Sequence, residues 1–113
     1  MILTLDPFDG YVLAAVTGSI DSTTVDDFAR QVRPVVESQN TDLFIDLSET
    51  DYVNSDGLGA FIQLSKAAES HSRRFVLVSP NPQLREVLSM TRLDTLLHIV
   101  DDVKSAIAPV ENN

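Results

Sequence analysis

Short apolar runs alternate along the chain with segments whose apolar residues recur every three or four positions. The first two runs, Ile2 to Leu5 and Tyr11 to Thr17, are separated by the turn-forming pairs Asp6-Pro7 and Asp9-Gly10. Two short strands around a turn are typical of an antiparallel hairpin. We expect the first strand to close at Asp6-Pro7 and the second to end at Gly18.

The segment after this hairpin has the periodicity of an amphipathic helix. Polar side chains from Asp21 to Thr24 precede it and offer several N-caps. Because proline cannot donate a hydrogen bond within a helix, we expect Pro34 to kink or break the last turn. The apolar residues that would share one helix face are Val25, Phe28, Ala29, Val32, Val35 and Val36.

The rest of the chain continues this alternation. Leu43 to Leu47 predicts a compact strand, and the polar residues after it predict a loop that reaches Ser55. Gly57 to Ser70 has the clearest helical pattern. Beyond it, the pattern predicts a buried strand at Phe75 to Val78, a short helix around Leu84 to Leu88, a short strand at Leu96 to Val100 and a final helix through Ile107.

This order of elements predicts an α/β fold with a mixed sheet of four to five strands and about four helices. The N-terminal hairpin is antiparallel, and strands that are joined through helices run parallel. Right-handed crossovers place those helices on one face of the sheet, so either another helix or a partner covers the second face. We expect one domain over residues 1–110 and a flexible tail over 111–113.

Composition narrows the functional classes. The 113 residues include 17 acidic and 8 basic ones, which gives a formal net charge of -9, and there is no cysteine. Such a charge repels a nucleic-acid backbone and anionic lipid headgroups, so we expect no nucleic-acid partner and no direct membrane binding. A partner should instead present basic or apolar surface. The N-terminus lacks the pattern of a secretory signal, and we expect a cytoplasmic protein.

The sequence offers little for an enzyme. It has no Ser/His/Asp order, no glycine-rich phosphate loop and no metal-ligand spacing. The acidic residues Asp46, Glu49 and Asp51 are better explained as a solvated strand end than as a metal or catalytic cluster. We therefore expect no catalysis, no cofactor and no metal.

The segment from Asp46 to Ile62 carries the most specific chemistry. It combines a strand end, a polar loop and a helix that begins near Ser55, whose hydroxyl is placed to cap that helix. Gly57 and Gly59 leave little side-chain bulk around the hydroxyl, so a bulky partner could approach it closely. A phosphate on Ser55 would lie where helix N–H groups favour anions. The alternative is that Asn54 to Asp56 form an ordinary capping cluster.

Two motifs in the chain resemble the STAS family of bacterial anti-sigma factor antagonists. Asp46-Leu-Ser48, followed by Val53 to Gly59, is similar to the family's Asp-Leu-Ser strand end and its Asp-Ser-Ser/Thr/Ala-Gly-Leu-Gly helix start. Thr17 to Asp21, together with Thr24, resembles the family's Gly-Glu-Leu-Asp-x-x-Thr stretch. The order of the predicted elements also fits the family fold over nearly the whole chain.

The resemblance implies a phosphorylation switch that regulates transcription. In the resembled proteins, the unmodified domain binds an anti-sigma factor that is also a serine kinase, and the sigma factor is released. The kinase then phosphorylates a serine at the helix start, and a serine phosphatase resets it. By motif position that serine is Ser55. The residues implied to bind the partner are Asp21, Thr24, Asn54, Asp56, Gly57, Leu58 and Gly59.

Two positions depart from the motif. Asn54 stands where these antagonists often have Asp, and Asp56 stands where they have a small Ser, Thr or Ala. A second interpretation therefore stays open: a non-switching STAS scaffold, in a lipid-transport ABC complex or a stressosome-type assembly. Acidic side chains at Asp21, Asp46, Asp51 and Asp56 would lie close to the edge of the domain where a partner docks beside Ser55. We call this the docking edge, and the partner there should carry Lys or Arg.

Overall fold

The computed structural model describes residues 1–38 and 41–107, so the predicted tail at 111–113 lies outside the described residues. In these ranges, no helix combines the length and the apolar character that crossing a bilayer requires. The strands are β1 (Ile2–Phe8), β2 (Tyr11–Ile20), β3 (Asp42–Val53), β4 (Phe75–Val78) and β5 (His98–Val100). The helices are α1 (Val25–Glu37), α2 (Ser55–Ser70), α3 (Pro82–Met90) and α4 (Val103–Ile107), with a 3-10 turn at Leu93–Thr95.

The described strands form one mixed sheet in chain order, β1-β2-β3-β4-β5. β1 runs antiparallel to β2, and each later neighbouring pair is parallel. The predicted α/β class, with an N-terminal hairpin followed by parallel strands and about four helices, is confirmed.

The two faces of the sheet are covered to different extents. Side chains from α1, α2 and α3, among them Phe28, Phe61 and Leu84, pack into one core against what we call the helical face. The opposite side, the outer face, carries a smaller cluster in which Ala106 of α4 packs with Val76. The sequence left open whether a helix or a partner covers this second face of the sheet. Near β4 a helix covers it.

The first two strands are longer than the sequence predicted. β1 continues through Asp6-Pro7 to Phe8, and only Asp9-Gly10 forms the turn. Pro7 is tolerated because β1 is an edge strand, where a missing ladder donor costs least. β2 continues through Gly18 to Ile20, since glycine readily adopts the φ of 99° found there. The predicted strand ends at Asp6-Pro7 and Gly18 were therefore wrong.

The loop predicted after Leu47 is also wrong, because β3 continues through that polar segment to Val53. Each of two register shifts against β2 inserts one extra residue into β3, as β-bulges do. The exposed pairs 48–49 and 51–52 consequently alternate with the buried residues Thr50 and Val53. The hydroxyl of Thr50 donates to the carbonyl of Val16 at 2.8 Å, which satisfies the one polar group that this arrangement buries.

Helix α1 does not break at Pro34. It runs on to Glu37, and the N–H of Ser38 closes it on the carbonyls of Pro34 and Val35. Pro34 lies on the exposed side, while Val32 and Val36 stay buried against the sheet. A proline in the last turn leaves only one carbonyl without its helical partner, and packing of the apolar face outweighs that loss.

Candidate functional site

The carboxyl ends of β2 and β3 bring together the two segments that the motifs singled out. Ile20 and Val53, the last residues of the two strands, are paired neighbours. One residue further on, the backbone N–H of Asn54 donates to the carbonyl of Ile20 at 3.0 Å. Asp21 follows Ile20 and Ser55 follows Asn54, so both predicted segments lie at one edge of the sheet.

The N-cap of α2 is Asn54, and the prediction that Ser55 caps the helix is wrong. Asn54 has an extended backbone, and its side-chain oxygen accepts the N–H of Gly57 at 3.0 Å. The helix therefore begins at Ser55, where the sequence predicted its start, and two residues before the clear helical pattern of Gly57 to Ser70. An extended residue reaches the N–H three positions ahead, whereas a residue already inside the helix does not.

This arrangement leaves the Ser55 hydroxyl free. Ser55 is exposed, and its side chain forms no hydrogen bond with the described part of the chain. Its own N–H and that of Asp56 belong to the first helical turn, where backbone donors have no intrahelical partner. A group attached to the hydroxyl would therefore meet open donors and the positive end of the helix.

The two glycines of the motif have different surroundings. A Cβ on Gly57 would lie 2.6 Å from Cγ1 of Val53 and 3.0 Å from Cγ2 of Ile20, so this glycine lets α2 approach the strand ends. A Cβ on Gly59 would meet nothing within 4 Å. Gly57 and Leu58 are buried, and Gly59 is the member of the three that remains partly open to a partner.

The loop after β2 is held by its own side chains. The Asp21 carboxylate accepts both the hydroxyl and the N–H of Thr23, at 2.7 and 2.9 Å. These hydrogen bonds, that of the Thr23 hydroxyl foremost, lower the pKa of Asp21 below its ordinary value of 3.8. Thr24 donates its hydroxyl to the carbonyl of Ser19 and accepts the N–H of Asp21. Thr24 therefore shapes the loop from within, and it precedes α1 without a side-chain capping bond.

A groove of about 490 Å³ runs between the first turns of α1 and α2. Beneath it the rings of Phe28 and Phe61 meet edge to face at 5.8 Å, which fixes the spacing of the two helices. The groove is lined by Ser22, Val25, Asp26, Ala29, Ser55, Asp56, Gly59, Ala60 and Gln63. Of the predicted site residues, Ser55, Asp56 and Gly59 line this groove.

The contribution of α1 to this groove was missed. Asp26 and Ala29 lie three residues apart on α1, a spacing that would have indicated a second helix face, and Ser22 lines the groove from the loop before the helix. Nothing in the sequence indicates that this face lies opposite that of Ser55, because the juxtaposition depends on how the two helices pack. Asp26 is the important omission, since it adds a carboxylate to the groove.

The groove is acidic. Asp26 and Asp56 lie in the first turns of α1 and α2, where a carboxylate is favoured by the helix dipole. No basic residue is among the described residues that line it. Asp46, which we had expected near this edge, pairs with Val78 of β4, points to the outer face and accepts the N–H of Ser48. The edge thus favours a cationic partner surface, and a phosphate here would add to an existing negative charge.

Within residues 1–38 and 41–107, no three His, Asp or Glu side chains are grouped to hold an ion. What the site offers is the Ser55 hydroxyl at a helix N-terminus, which bonds to none of the described residues and is flanked by carboxylates and by a bare helix surface at Gly59.

Comparison with known proteins identifies relatives over most of the chain. The family model of the STAS domain matches residues 5–106. A Thermotoga maritima protein, provisionally named an anti-sigma factor antagonist, is 35% identical over 68 residues, which is 60% of each chain. The anti-sigma-B factor antagonist of Staphylococcus aureus is 23% identical over 91 residues, or 80% of this chain and 84% of the relative.

Solved structures share the fold. The structure of an anti-sigma factor antagonist from Mycobacterium paratuberculosis has a TM-score of 0.84 at 24% identity, covering 94% of this chain and 90% of that one. The unphosphorylated form of the anti-sigma factor antagonist SpoIIAA has a TM-score of 0.74 at 16% identity, covering 94% of each chain. Its phosphorylated form, from Bacillus, has a TM-score of 0.72 at 15% identity and covers 93% of this chain and 96% of that one.

Proposed function

The chain belongs to the STAS domain family, and we propose that it is an anti-sigma factor antagonist that acts in the cytoplasm. It binds an anti-sigma factor through the edge formed by the Asp21 loop and the start of α2, and so frees a sigma factor for transcription. The names of the matched relatives support this role. The observation that carries it is the free, exposed hydroxyl of Ser55 in the first turn of α2.

Phosphorylation of Ser55 switches the binding off in this proposal. The anti-sigma factor, acting as a serine kinase, transfers the γ-phosphoryl group of ATP to Oγ of Ser55, and ADP and the hydroxyl proton leave. A serine phosphatase later hydrolyses the ester to serine and inorganic phosphate. The free hydroxyl supports this step, because a capping serine would have to give up its hydrogen bond before it could react.

The bulk of a phosphate and the cost of desolvating its charge supply the physical basis of the switch. A phosphate brings about -1.5 to -2 charges at neutral pH. Asp26 and Asp56 already line the groove, so the added charge is repelled by both. A basic partner surface could still tolerate the charge, but the added bulk would fill the space that the open surface at Gly59 leaves. Each tenfold loss of affinity corresponds to about 1.4 kcal/mol of binding free energy, so a modest steric clash is enough to release the partner.

The departure at Asn54 is compatible with this role. Asn and Asp cap helices about equally well, so the start of α2 does not require a carboxylate at this position. Asn54 also leaves one negative charge fewer beside Ser55 than an aspartate would. Asp56 places its carboxylate in the groove and restores that charge one residue after the serine.

The test uses the anti-sigma factors encoded in the same genome, each purified and incubated with ATP and the chain. We expect one of them to add a single phosphoryl group, seen as a mass increase, and peptide mapping to place it on Ser55. Ser55→Ala should abolish labelling. Ser22→Ala, which removes the other serine hydroxyl that lines the groove, should leave labelling unchanged.

A binding assay separates this role from the scaffold role. Ser55→Asp should weaken binding to the same anti-sigma factor by about tenfold or more, because a charged side chain at the centre of the contact must lose its water, whereas Ser22→Asp, as a matched acidic change, should have a smaller effect. Equal labelling of the Ser55→Ala variant would place the modification elsewhere. If no anti-sigma factor binds or labels the chain, and a transporter ATPase subunit binds instead, the scaffold role is the correct one.

A further inference from the structure

The bulged end of β3 carries an aromatic side chain that lies outside the core. Tyr52 is 59% exposed although it lies inside a paired strand. Its cross-strand neighbour, Ser19, is too small to cover the ring. The Tyr52 hydroxyl bonds to none of the residues in the described ranges, and the ring stacks on none of their aromatic side chains. Neither packing nor hydrogen bonding within the described ranges explains a tyrosine here.

The register shifts in β3 set the direction of this ring. Val53 is buried in the core on the helical face, and so is its partner Ile20. Tyr52 and Ser19, one residue earlier on each strand, therefore point to the outer face. Bulges commonly re-aim side chains beside functional sites. Here the second shift places Asp51 and Tyr52 together at the surface, shortly before Ser55 in the sequence.

Tyr52 belongs to a small surface that we call the outer patch, made of Ile2, Thr17, Ser19, Glu49 and Tyr52. Thr17 pairs with Ile2 on one side and with Glu49 on the other, so these residues share the outer face. Ile2 is 66% exposed. The patch thus has two exposed apolar side chains, small hydroxyl residues between them and a carboxylate at its margin.

The outer patch is continuous with the proposed docking edge. Ser19 and Ile20 lead directly into Asp21, and Tyr52 and Val53 lead directly into Asn54 and Ser55. The Asn54-to-Ile20 hydrogen bond joins the two segments at that point. A partner that covers Asp21 and Ser55 therefore needs to extend only over the sheet end to reach the ring of Tyr52.

We propose that Tyr52 is a binding residue for the same anti-sigma factor, whose footprint extends from the Ser55 edge onto the outer patch. This inference rests on the proposed function and adds to it a second contact area on the opposite face of the sheet. An apolar side chain of the partner packs on the Tyr52 ring, and a Lys or Arg lies opposite Glu49 and Asp51. Exposed tyrosines with acidic neighbours suit such a contact, because tyrosine is enriched among residues that dominate binding energy.

Phe8 provides a matched control on the same face. It is 52% exposed, close to the value for Tyr52, but it lies at the opposite end of the sheet, beside the hairpin turn. Its ring stacks on Tyr11 at 4.9 Å. A partner that needs only an exposed aromatic residue on the outer face would respond to both positions, whereas the proposed partner responds to Tyr52 alone.

The experiment measures the affinity of the purified, unphosphorylated full chain for the anti-sigma factor that labels Ser55. Tyr52→Ala should weaken binding by about tenfold, Tyr52→Phe should retain most of the affinity, and Phe8→Ala should change it by less than about twofold. Glu49→Arg, a surface change that does not depend on removing the ring, should also weaken binding several-fold. Urea unfolding of each variant identifies any loss that comes from the fold.

The outcomes distinguish the two proposals. If the wild-type chain binds and is labelled on Ser55 while Tyr52→Ala and Glu49→Arg bind as tightly as wild type, the footprint does not include the outer patch and the proposed function stands. If Phe8→Ala loses as much affinity as Tyr52→Ala, the contact at this end is not specific and the inference is overturned. If no anti-sigma factor of the genome binds the wild-type chain, the proposed function itself fails.

Discussion

The backbone N–H of Asn54 donates a 3.0 Å hydrogen bond to the carbonyl of Ile20, and this bond connects two motif segments that are 34 residues apart. Through it, the Asp21 loop and the first turn of α2 share one support. Gly57 lets the helix reach this position, because any side chain there would collide with Ile20 and Val53. The docking edge is therefore a property of the strand ends, and changes at these residues should be felt first as losses of stability.

Removal of the Asn54 cap should lower the free energy of unfolding. Asn54→Ala loses the hydrogen bond to Gly57, and we expect a cost of about 1 kcal/mol. Asn54→Asp keeps the bond and should be at least as stable as wild type, since a carboxylate also interacts favourably with the helix dipole. Ser55→Ala should stay within about 0.5 kcal/mol of wild type. Urea unfolding measures all three, and a larger loss for Ser55→Ala than for Asn54→Ala would restore Ser55 as the cap.

The two glycines of α2 should respond to alanine with opposite signs. Gly57→Ala places a methyl group 2.6 Å from Val53, and overpacking of this kind costs about 1–3 kcal/mol. Gly59→Ala adds a methyl group in open space within a helix and should raise stability by about 0.5–1 kcal/mol. Thermal and urea unfolding test this pair. Equal destabilisation by both changes would mean that Gly59 is also needed for packing.

Gly59→Ala further separates stability from function. If the bare surface at Gly59 admits the partner, the more stable variant should bind the anti-sigma factor less tightly, because its new methyl group lies in the groove beside Ser55. Calorimetric titration of the same two variants provides the measurement. A Gly59→Ala variant with wild-type affinity would place the contact outside the groove.

Acid should weaken the fold partly through Asp21. Its hydrogen bonds with Thr23 lower the folded-state pKa below 3.8, so this carboxylate stabilises the fold above its unfolded pKa. That contribution is lost as the pH falls through the lower, folded-state pKa. Asp21→Asn should remove this part of the pH dependence below roughly pH 4. Asp102, whose pKa is also lowered through its hydrogen bonds with Ser105, titrates in both chains and cancels in the comparison.

The Thr23 hydroxyl gives a direct check on that assignment. Thr23→Val removes the side-chain donor, the main cause of the shift, and should raise the pKa of Asp21 toward 3.8. An NMR titration of the side-chain carboxyl carbon reports the change. An unaltered Asp21 pKa in this variant would assign the shift to the backbone N–H instead.

Affinity for the partner should fall as salt rises. The groove carries Asp26 and Asp56 without a basic neighbour among its described lining residues, so attraction to a cationic partner is screened at ionic strengths above about 0.1 M. We expect a loss of about three- to tenfold between low and high salt. The double change of Asp26 and Asp56 to Asn should flatten this dependence. Asp9→Asn, at the hairpin turn of the far sheet end, should not.

The sequence by itself determined the order of the elements and the family. Apolar runs and helical spacings depend on which side chains leave water, and this holds for each segment independently of its neighbours. The hairpin, the parallel strands and the helix after Asn54 were therefore predictable. The resemblance carried by Asp46 to Gly59 is confirmed by a family match that spans residues 5–106.

The sequence could not determine where polar segments end. Residues 48–52 have the composition of a loop, yet β3 continues through them because β2 supplies a ladder and two bulges keep Thr50 and Val53 inside. The cap was misassigned for a similar reason. Ser55 and Asn54 are both good caps, and only the extended backbone imposed on Asn54 by its bond to Ile20 decides between them.

Tertiary structure alone decided which surfaces meet. Asp26 and Ser55 line the same groove because the contact between Phe28 and Phe61 sets the distance between α1 and α2, which are far apart in the chain. Strand alternation directs Asp46 to the face opposite that groove, and the two register shifts in β3 direct Tyr52 to the same face. Long-range packing and strand register are properties of pairs of segments, and the composition of a single segment does not contain them.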